Sequence, residues 1–343
     1  MSNCLRHRFG TRGRSAVAGI SACALFLAAM LAYGQFKPAG PQTTPTPAPS
    51  PPYTPTPLPS ETPQQPPPIF SVKVNLVRLL VSVRNSAGAL ITNLEKQDFR
   101  VLDSGVPQEL SVFERNTSLP LSVAVMIDTS GSTEKDLHYE VESILRFIPT
   151  LLNAGNPQDM FALFSFNWRT SLESDFSRSY KRAERALHAL RGEGGTSLYD
   201  AIYLASDTLA DREGRHVMVV VTDGGDTTSY KKYPDALAAL QRADVVIYPV
   251  VVIPIQSDAG RNTGGEHALA TLAASTGGRI FYPEGFDELD AAFADILREL
   301  RTQYMLGFYP RNVVEQPRRY HPVKVEVPNA PVRISARSGY YEP

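Results

Sequence analysis

Four predominantly apolar runs constrain the fold of this chain more than any other feature. They occupy residues 121–127, 160–166, 217–221 and 245–252. They show little polar alternation, as expected of parallel strands buried on both faces of a sheet. Between them, apolar residues recur at helical spacing, for example over 137–148 and 198–209. Strands that alternate with helices predict an α/β domain with a doubly wound, mostly parallel sheet over residues 117–301.

Strand-like runs lie on both sides of this region. They cover 72–76, 79–83, 98–102 and 109–113 before it, and 304–308, 323–327 and 332–334 after it. Each set is too small to form a stable sheet alone, and chain termini commonly lie close together. We therefore expect residues 70–116 and 302–343 to pair into one smaller, β-sandwich-like domain beside the α/β domain.

The first 34 residues predict an export signal. An arginine-rich start precedes an uncharged stretch over 16–33, and Ala32-Tyr33-Gly34 supplies small residues before a cut ahead of Gln35. A retained membrane anchor is the alternative, since this stretch lies at the short edge of what spans a bilayer. A lipoprotein signal at 20–23 is another. We expect a periplasmic, secreted or envelope-associated protein, which contacts the membrane only if the signal is retained.

Residues 35–69 form a proline-rich segment. Of the 28 prolines, 14 lie between Pro38 and Pro68, mixed with Thr, Ser and Gln. This composition buries no core and predicts a disordered, extended linker. Both cysteines, Cys4 and Cys23, precede the expected cut, so the mature chain is expected to have no disulfide.

Charge and motifs exclude several functions. The chain has 34 basic and 35 acidic residues and no long basic run, so we expect no nucleic-acid partner. The glycines at 192–195 do not follow a strand as a dinucleotide loop requires. No Gly-x-Ser-x-Gly, Walker A or His-rich zinc pattern occurs. We therefore assign no catalytic residue and expect no enzyme activity.

Oxygen-bearing side chains gather on three loops of the α/β region. Asp128, Ser130 and Ser132 follow the first apolar run, Thr196 opens a helix, and Asp223 follows the third run. In doubly wound sheets, ligands bind beyond the carboxyl ends of the strands, where strand order reverses. Oxygen ligands suit a hard divalent cation. The loops therefore predict a cation site.

The three motifs Asp-x-Ser-x-Ser, Gly-Gly-Thr and Thr-Asp-Gly, in this order, resemble the metal-ion-dependent adhesion site (MIDAS) of the von Willebrand factor type A (vWA) domain. The resemblance covers about 119–301 and implies five metal ligands. These are Asp128, Ser130, Ser132, Thr196 and Asp223, with the aspartates acting partly through water. Mg²⁺ is the first candidate ion, with Mn²⁺ or Ca²⁺ as alternatives. The order of segments also resembles a bacterial exported vWA-related family.

The resemblance further implies a partner and a movement. In the adhesion domains that it concerns, an open metal position accepts a carboxylate from a protein partner, and this event can shift the carboxyl-terminal helix. We therefore expect a partner that presents an Asp or Glu side chain to the ion. The residual positive field of the ion, at the amino end of the helix after Ser132, favours such a group.

Other interpretations of individual residues stay open from sequence. Ser130 and Ser132 also suit the cap of a helix that begins near Thr133. Asp200 and Asp226 are candidates either for partners of the metal ligands or for polar groups at a helix start. Trp168 and Tyr199 are candidates for an apolar rim, with core packing as the alternative for Tyr199.

The residues together predict an exported, cation-dependent protein-binding module of adhesion type. Two other functions stay open. One is a structural or assembly component of the cell envelope that uses the fold as a metal-independent scaffold. The other is a metal-dependent hydrolase. Binding that survives a chelator would favour the scaffold, and turnover of phosphoesters would favour the hydrolase.

Overall fold

The computed structural model describes residues 76–153, 155–252, 263–313 and 319–342. The expected signal at 1–34, the linker at 35–69 and the run that begins at Val72 lie outside the described residues. Within the described ranges, no helix combines the length and the apolarity needed to span a membrane.

Thirteen strands and six α-helices occur in these ranges. The strands are β1 (Val77–Arg84), β2 (Arg100–Asp103), β3 (Val106–Gln108), β4 (Leu110–Arg115), β5 (Leu121–Asp128), β6 (Met160–Phe166), β7 (Thr170–Ser177), β8 (Arg215–Thr222), β9 (Val245–Val251), β10 (Tyr304–Phe308), β11 (Tyr320–Glu326), β12 (Arg333–Ser335) and β13 (Gly339–Tyr341). The helices are α1 (Leu137–Asn153), α2 (Tyr180–Ala189), α3 (Leu198–Ala210), α4 (Tyr233–Arg242), α5 (Thr263–Thr276) and α6 (Phe286–Thr302).

A five-stranded sheet in the order β7-β6-β5-β8-β9 forms the centre of the α/β domain. β5 pairs in parallel with β6 on one side and β8 on the other, and β8 pairs in parallel with β9. Only β7 runs antiparallel among these described strands. Because the chain first builds outward from β5 to β6 and later adds β8 on the opposite side, strand order reverses at β5. Its carboxyl end therefore opens into the crevice where ligands bind in such sheets.

Alternate residues of β5 supply two separate cores. Val123 and Val125 pack with apolar residues of α1, α2 and α6 on one face of the sheet. Ala124 and Met126 pack with those of α3, α4 and α5 on the other. This double burial explains why the runs are predominantly apolar, since both faces of each central strand pack against helices. The predicted doubly wound α/β fold is confirmed.

The flanking segments form two four-stranded antiparallel sheets, in the orders β12-β1-β10-β4 and β13-β11-β2-β3. Each sheet combines strands from before and after the α/β domain, because β1 pairs with β10 and β2 pairs with β11. One apolar core joins the two sheets, with Leu79, Leu306 and Val323 among its buried residues. The predicted additional β-sandwich, built from both flanks, is confirmed.

The strands that lie outside the predicted runs include β7 and β3. β7 is an edge strand whose side chains are largely exposed and polar, so it lacks the apolar signal of its neighbours. β3 is only three residues long and pairs with β2 across a turn at Ser104-Gly105. Both of those residues have positive φ, 50° and 84°. Such a pair of turn residues matches the twist of a tight hairpin.

The sandwich and the α/β domain belong to one compact unit and are joined through α6. This helix continues into β10 after a single residue, Gln303. Near its end, the fully buried carboxylate of Glu299 accepts a hydrogen bond from Arg84 of β1 and another, of 3.0 Å, from Arg279. The hydroxyl of Tyr248 in β9 donates to the same carboxylate at 3.3 Å. Glu299 thus connects the two domains.

Replacing Glu299 by Gln is expected to lower the free energy of unfolding by about 3 kcal/mol, because two arginines lose a buried anionic partner. Asp290→Asn, on the same helix, is the matched control. Its partner Arg146 is half exposed, and such surface pairs contribute at most about 1 kcal/mol. Urea denaturation of the three proteins measures both losses. Equal losses for the two variants would contradict the role of Glu299.

Candidate metal centre

Asp128 ends β5 with its carboxylate fully buried at the point where strand order reverses. Its Oδ1 accepts the backbone N–H of Ser130 at 2.9 Å, and its Oδ2 accepts the hydroxyl of Thr222 at 2.6 Å. In the described residues no Lys, Arg or His pairs with it. Burial raises the pKa of Asp128 to about 6, although the hydrogen bonds from Thr222 and Ser130 oppose that rise. The carboxylate is therefore poorly compensated.

The two serines of the first loop lie side by side. Ser130 is buried and Ser132 is exposed, and their hydroxyl oxygens are 3.1 Å apart. The hydroxyl of Thr133 donates to the carbonyls of Asp128 and Ser130, each at 3.0 Å, which holds the loop in turns. α1 consequently begins at Leu137 and not near Thr133, so neither serine occupies its N-cap. The helix-capping interpretation of the serines is wrong.

Asp223 follows β8 and reaches the first loop from the third. Its carboxylate accepts a hydrogen bond from Ser132, which lowers its pKa, while burial has the larger effect and raises it. The negative charge of Asp223 also raises the pKa of Asp128, and that of Asp136 raises the pKa of Asp223. Hydrogen bonds thus join four of the five predicted ligands, Asp128, Ser130, Ser132 and Asp223, within one small site.

Thr196, the fifth predicted ligand, is held at this site by backbone hydrogen bonds between loops. The N–H of Gly131 in the first loop donates to the carbonyl of Gly194 at 3.0 Å, and the N–H groups of Thr227 and Thr228 in the third loop donate to the carbonyl of Thr196 at 2.8 and 3.1 Å. A Cβ at Gly195 would lie 2.8 Å from the methyl carbon of Thr228. This close approach requires glycine there.

Asp200 and Asp226 hold the third loop against the start of α3. Asp200 accepts the N–H of Tyr230 at 3.0 Å and that of Lys231 at 2.7 Å. Asp226 accepts the N–H of Tyr199 at 3.3 Å. Among the contacts of the described residues, neither carboxylate touches a predicted metal ligand. Their observed role is to fix the loop that carries Asp223.

Aromatic side chains border the site. Trp168, between β6 and β7, is 46% exposed, and it lies so close to Gly194 that any Cβ there would meet its ring. Tyr199 is partly buried and packs against the core formed with α3, α4 and α5. Tyr230, which sequence reasoning missed, is 94% exposed on the third loop.

Two further residues of the site were missed from sequence. Thr222 is fully buried and donates to Asp128, and its position beside Asp223 at a strand end was the available signal. Glu140 is buried in the first turn of α1 and lies within electrostatic range of Asp128 and Asp223. It interrupts the apolar stripe of that helix, and this interruption was visible in the sequence.

The donor set fits a small divalent cation. It consists of oxygen atoms, with two carboxylates that are costly to bury as anions and hydroxyls beside them. The described residues hold no group of three or more His, Cys, Asp or Glu placed to bind a metal. The predicted centre is of another type, since three of its five ligands are hydroxyls. Metal binding by these residues stays a prediction.

The comparison with protein families gives one match. The model of the von Willebrand factor type A domain matches residues 122–295, just over half of the 343-residue chain. This range contains all five predicted ligands. No curated protein sequence matches the chain.

Several solved structures are similar in fold. One is the vWF domain of the type V pili tip protein Mfa5 from Porphyromonas gingivalis, at 15% identity and a TM-score of 0.42, over 53% of this chain and 95% of that one. The PilB minor pilin from Streptococcus sanguinis matches at 14% identity and a TM-score of 0.43, and the match covers 54% of this chain and 62% of that one. An aerotolerance-related membrane protein from Bacteroides fragilis matches at 19% identity and a TM-score of 0.41, and the match covers 52% of this chain and 98% of that one. Likenesses this distant do not bear on what the chain binds.

In chelator at about pH 7.5, Asp128→Asn is expected to stabilise the protein by about 1–2 kcal/mol. With the pKa of Asp128 raised from 3.8 to about 6, ionisation costs the folded state about 3 kcal/mol. Asn removes this cost, but part of the resulting stabilisation is lost because the amide nitrogen of Asn cannot accept a hydrogen bond. Urea denaturation in chelator measures the net effect, with Asp207→Asn on the exposed face of α3 as the control.

The raised pKa of Asp128 also determines how the stability advantage of Asp128→Asn changes with pH. The folded carboxyl binds its proton more tightly than the unfolded one, so the penalty is complete above pH 6 and fades as the pH falls toward 3.8. The advantage of Asn should therefore shrink by about 1 kcal/mol between pH 7.5 and pH 5. A constant or growing advantage would contradict the burial cost assigned to Asp128.

Proposed function

The chain belongs to the von Willebrand factor type A family, and on this basis we propose that it is an exported, non-enzymatic module that binds a protein partner through a divalent cation. The observation that carries the proposal is the buried carboxylate of Asp128, which has only neutral hydrogen-bond donors and lies beside the oxygens of Ser130, Ser132 and Asp223. A cation supplies the positive charge that this site otherwise lacks.

The proposed ligands are Asp128, Ser130, Ser132, Thr196 and Asp223, and the proposed ion is Mg²⁺, with Mn²⁺ or Ca²⁺ as alternatives. Two carboxylates balance the ion formally, and neutral hydroxyls leave it attractive to one more anion. Ser132 is exposed, so the site opens to solvent on that side. These features support an Asp or Glu side chain of a partner as the incoming ligand.

The exposed aromatic residues around the site favour a protein as the partner. Trp168 and Tyr230 are exposed on two of the surrounding loops. Large aromatic side chains of this kind contribute strongly to protein interfaces. The three loops contain no histidine that would act as a general base. This favours binding over hydrolysis.

Calorimetric titration of Mg²⁺ and Mn²⁺ into the protein tests the site. We expect binding by the wild type, none by Asp128→Ala or Asp223→Ala, and weaker binding by Ser130→Ala or Thr196→Ala, because each removes one ligand oxygen. Asp207→Asn, which removes an exposed carboxylate elsewhere, should bind as the wild type does. Equal isotherms for the wild type and Asp128→Ala would sink the assignment. Partner binding that persists in chelator would favour the scaffold function.

Export is tested on the native protein. Intact-mass measurement should give a chain that begins at or near Gln35, because Ala32-Tyr33-Gly34 matches the residues that a signal peptidase accepts. A mass that includes residues 1–34 would instead indicate a retained membrane anchor.

A further inference from the structure

Glu140 is an acidic side chain buried in an apolar setting. It lies in the first turn of α1 and is 1% exposed, and its Oε2 has no hydrogen-bond partner among the residues that the structure describes. Its helical neighbours Leu137, Val141 and Ile144 are buried in the core of the α/β domain. Packing alone would be satisfied better by an apolar residue, because an unpaired polar group costs free energy when it is buried.

The surroundings of Glu140 are negative. Asp128 and Asp223 of the candidate metal centre, together with Asp136 of the preceding turn, lie within electrostatic range of its carboxyl. Burial comes first and these three charges second in raising the pKa of Glu140 well above its usual range. No basic side chain forms an ion pair with it among the described residues. Within the described part of the chain, an unpartnered carboxyl oxygen therefore lies near two aspartates that form no ion pair with a basic side chain.

We propose that Glu140 is a further residue of the metal centre, where its carboxyl group accepts a hydrogen bond from water bound to the divalent cation. This inference rests on the proposed function, since it requires a cation at Asp128 and Asp223. It explains why a carboxyl group occupies the apolar face of α1. The role is one of positioning, because the contact with the ion runs through water. Partners of this kind typically change metal affinity by about 10–100-fold.

Calorimetric titration of Mn²⁺ into the full protein tests the proposal. Glu140→Gln keeps the size of the side chain and removes its charge, and it should weaken binding about tenfold or more. Glu142→Gln, two residues along the same helix, makes the same change in net charge on a more exposed side chain, and should bind as the wild type does. Glu140→Met is apolar and of similar length and lacks the amide oxygen of Gln as an acceptor, so it should weaken binding at least as much as Glu140→Gln.

Thermal unfolding separates this role from a structural one. In chelator, Glu140→Gln should be at least as stable as the wild type, because the carboxyl oxygen that it replaces has no partner. The rise in Tm on adding Mn²⁺ should be smaller in the variant than in the wild type. A lower Tm in chelator with an unchanged rise on adding Mn²⁺ would assign Glu140 to the core and overturn the proposal.

The same titrations distinguish the two proposals. No binding by the wild type overturns both the metal centre and the role of Glu140. Binding by the wild type that is lost in Asp128→Ala but unchanged in Glu140→Gln leaves the proposed function standing and overturns only the inference about Glu140. Loss in Asp128→Ala with weakening in Glu140→Gln and Glu140→Met supports both.

Discussion

The candidate site depends on one buried carboxylate that has no basic partner in the described part of the chain. Asp128 lies at the end of the central strand, where parallel strands on both sides leave no room for solvent. The hydroxyl of Thr222 from the neighbouring strand and the backbone N–H of Ser130 are its hydrogen-bond donors. Both are neutral, so the charge is only partly compensated. The three loops are hydrogen-bonded to one another by their backbones, which holds the oxygens together before any ligand arrives.

A second constraint lies at the opposite end of the α/β domain. α6 runs into β10, which is paired with β1 on one side and β4 on the other. The buried carboxylate of Glu299 ties the same helix to Arg84 and Arg279. Because α6 leads into β10 after a single residue, a shift of the helix along its axis would have to carry a doubly paired strand with it.

The predictable features were those with a local sequence signal. The parallel strands appear as continuous apolar runs because both of their faces are buried, and the flanking strands appear as alternating runs because one face of each sheet packs on the sandwich core. The edge strand β7 escaped prediction because its exposed side chains are polar. The start of α1 was placed four residues too early, because hydrogen bonds from the Thr133 hydroxyl to the carbonyls of Asp128 and Ser130 hold this segment in turns before the helix begins at Leu137.

The sequence by itself determined the order of strands and helices and the three oxygen-bearing loops, since these depend on side-chain type and on periodicity along the chain. Tertiary structure alone decided which side chains meet. It placed Asp223 against Ser132, turned Asp200 to the backbone of the third loop and Asp226 to the backbone of α3, and buried Glu140 near Asp128. These contacts either join residues that are distant in the chain or depend on which of several nearby hydrogen-bond donors an oxygen meets in the folded molecule. Such choices depend on how strands and helices pack, and packing is a property of the folded molecule.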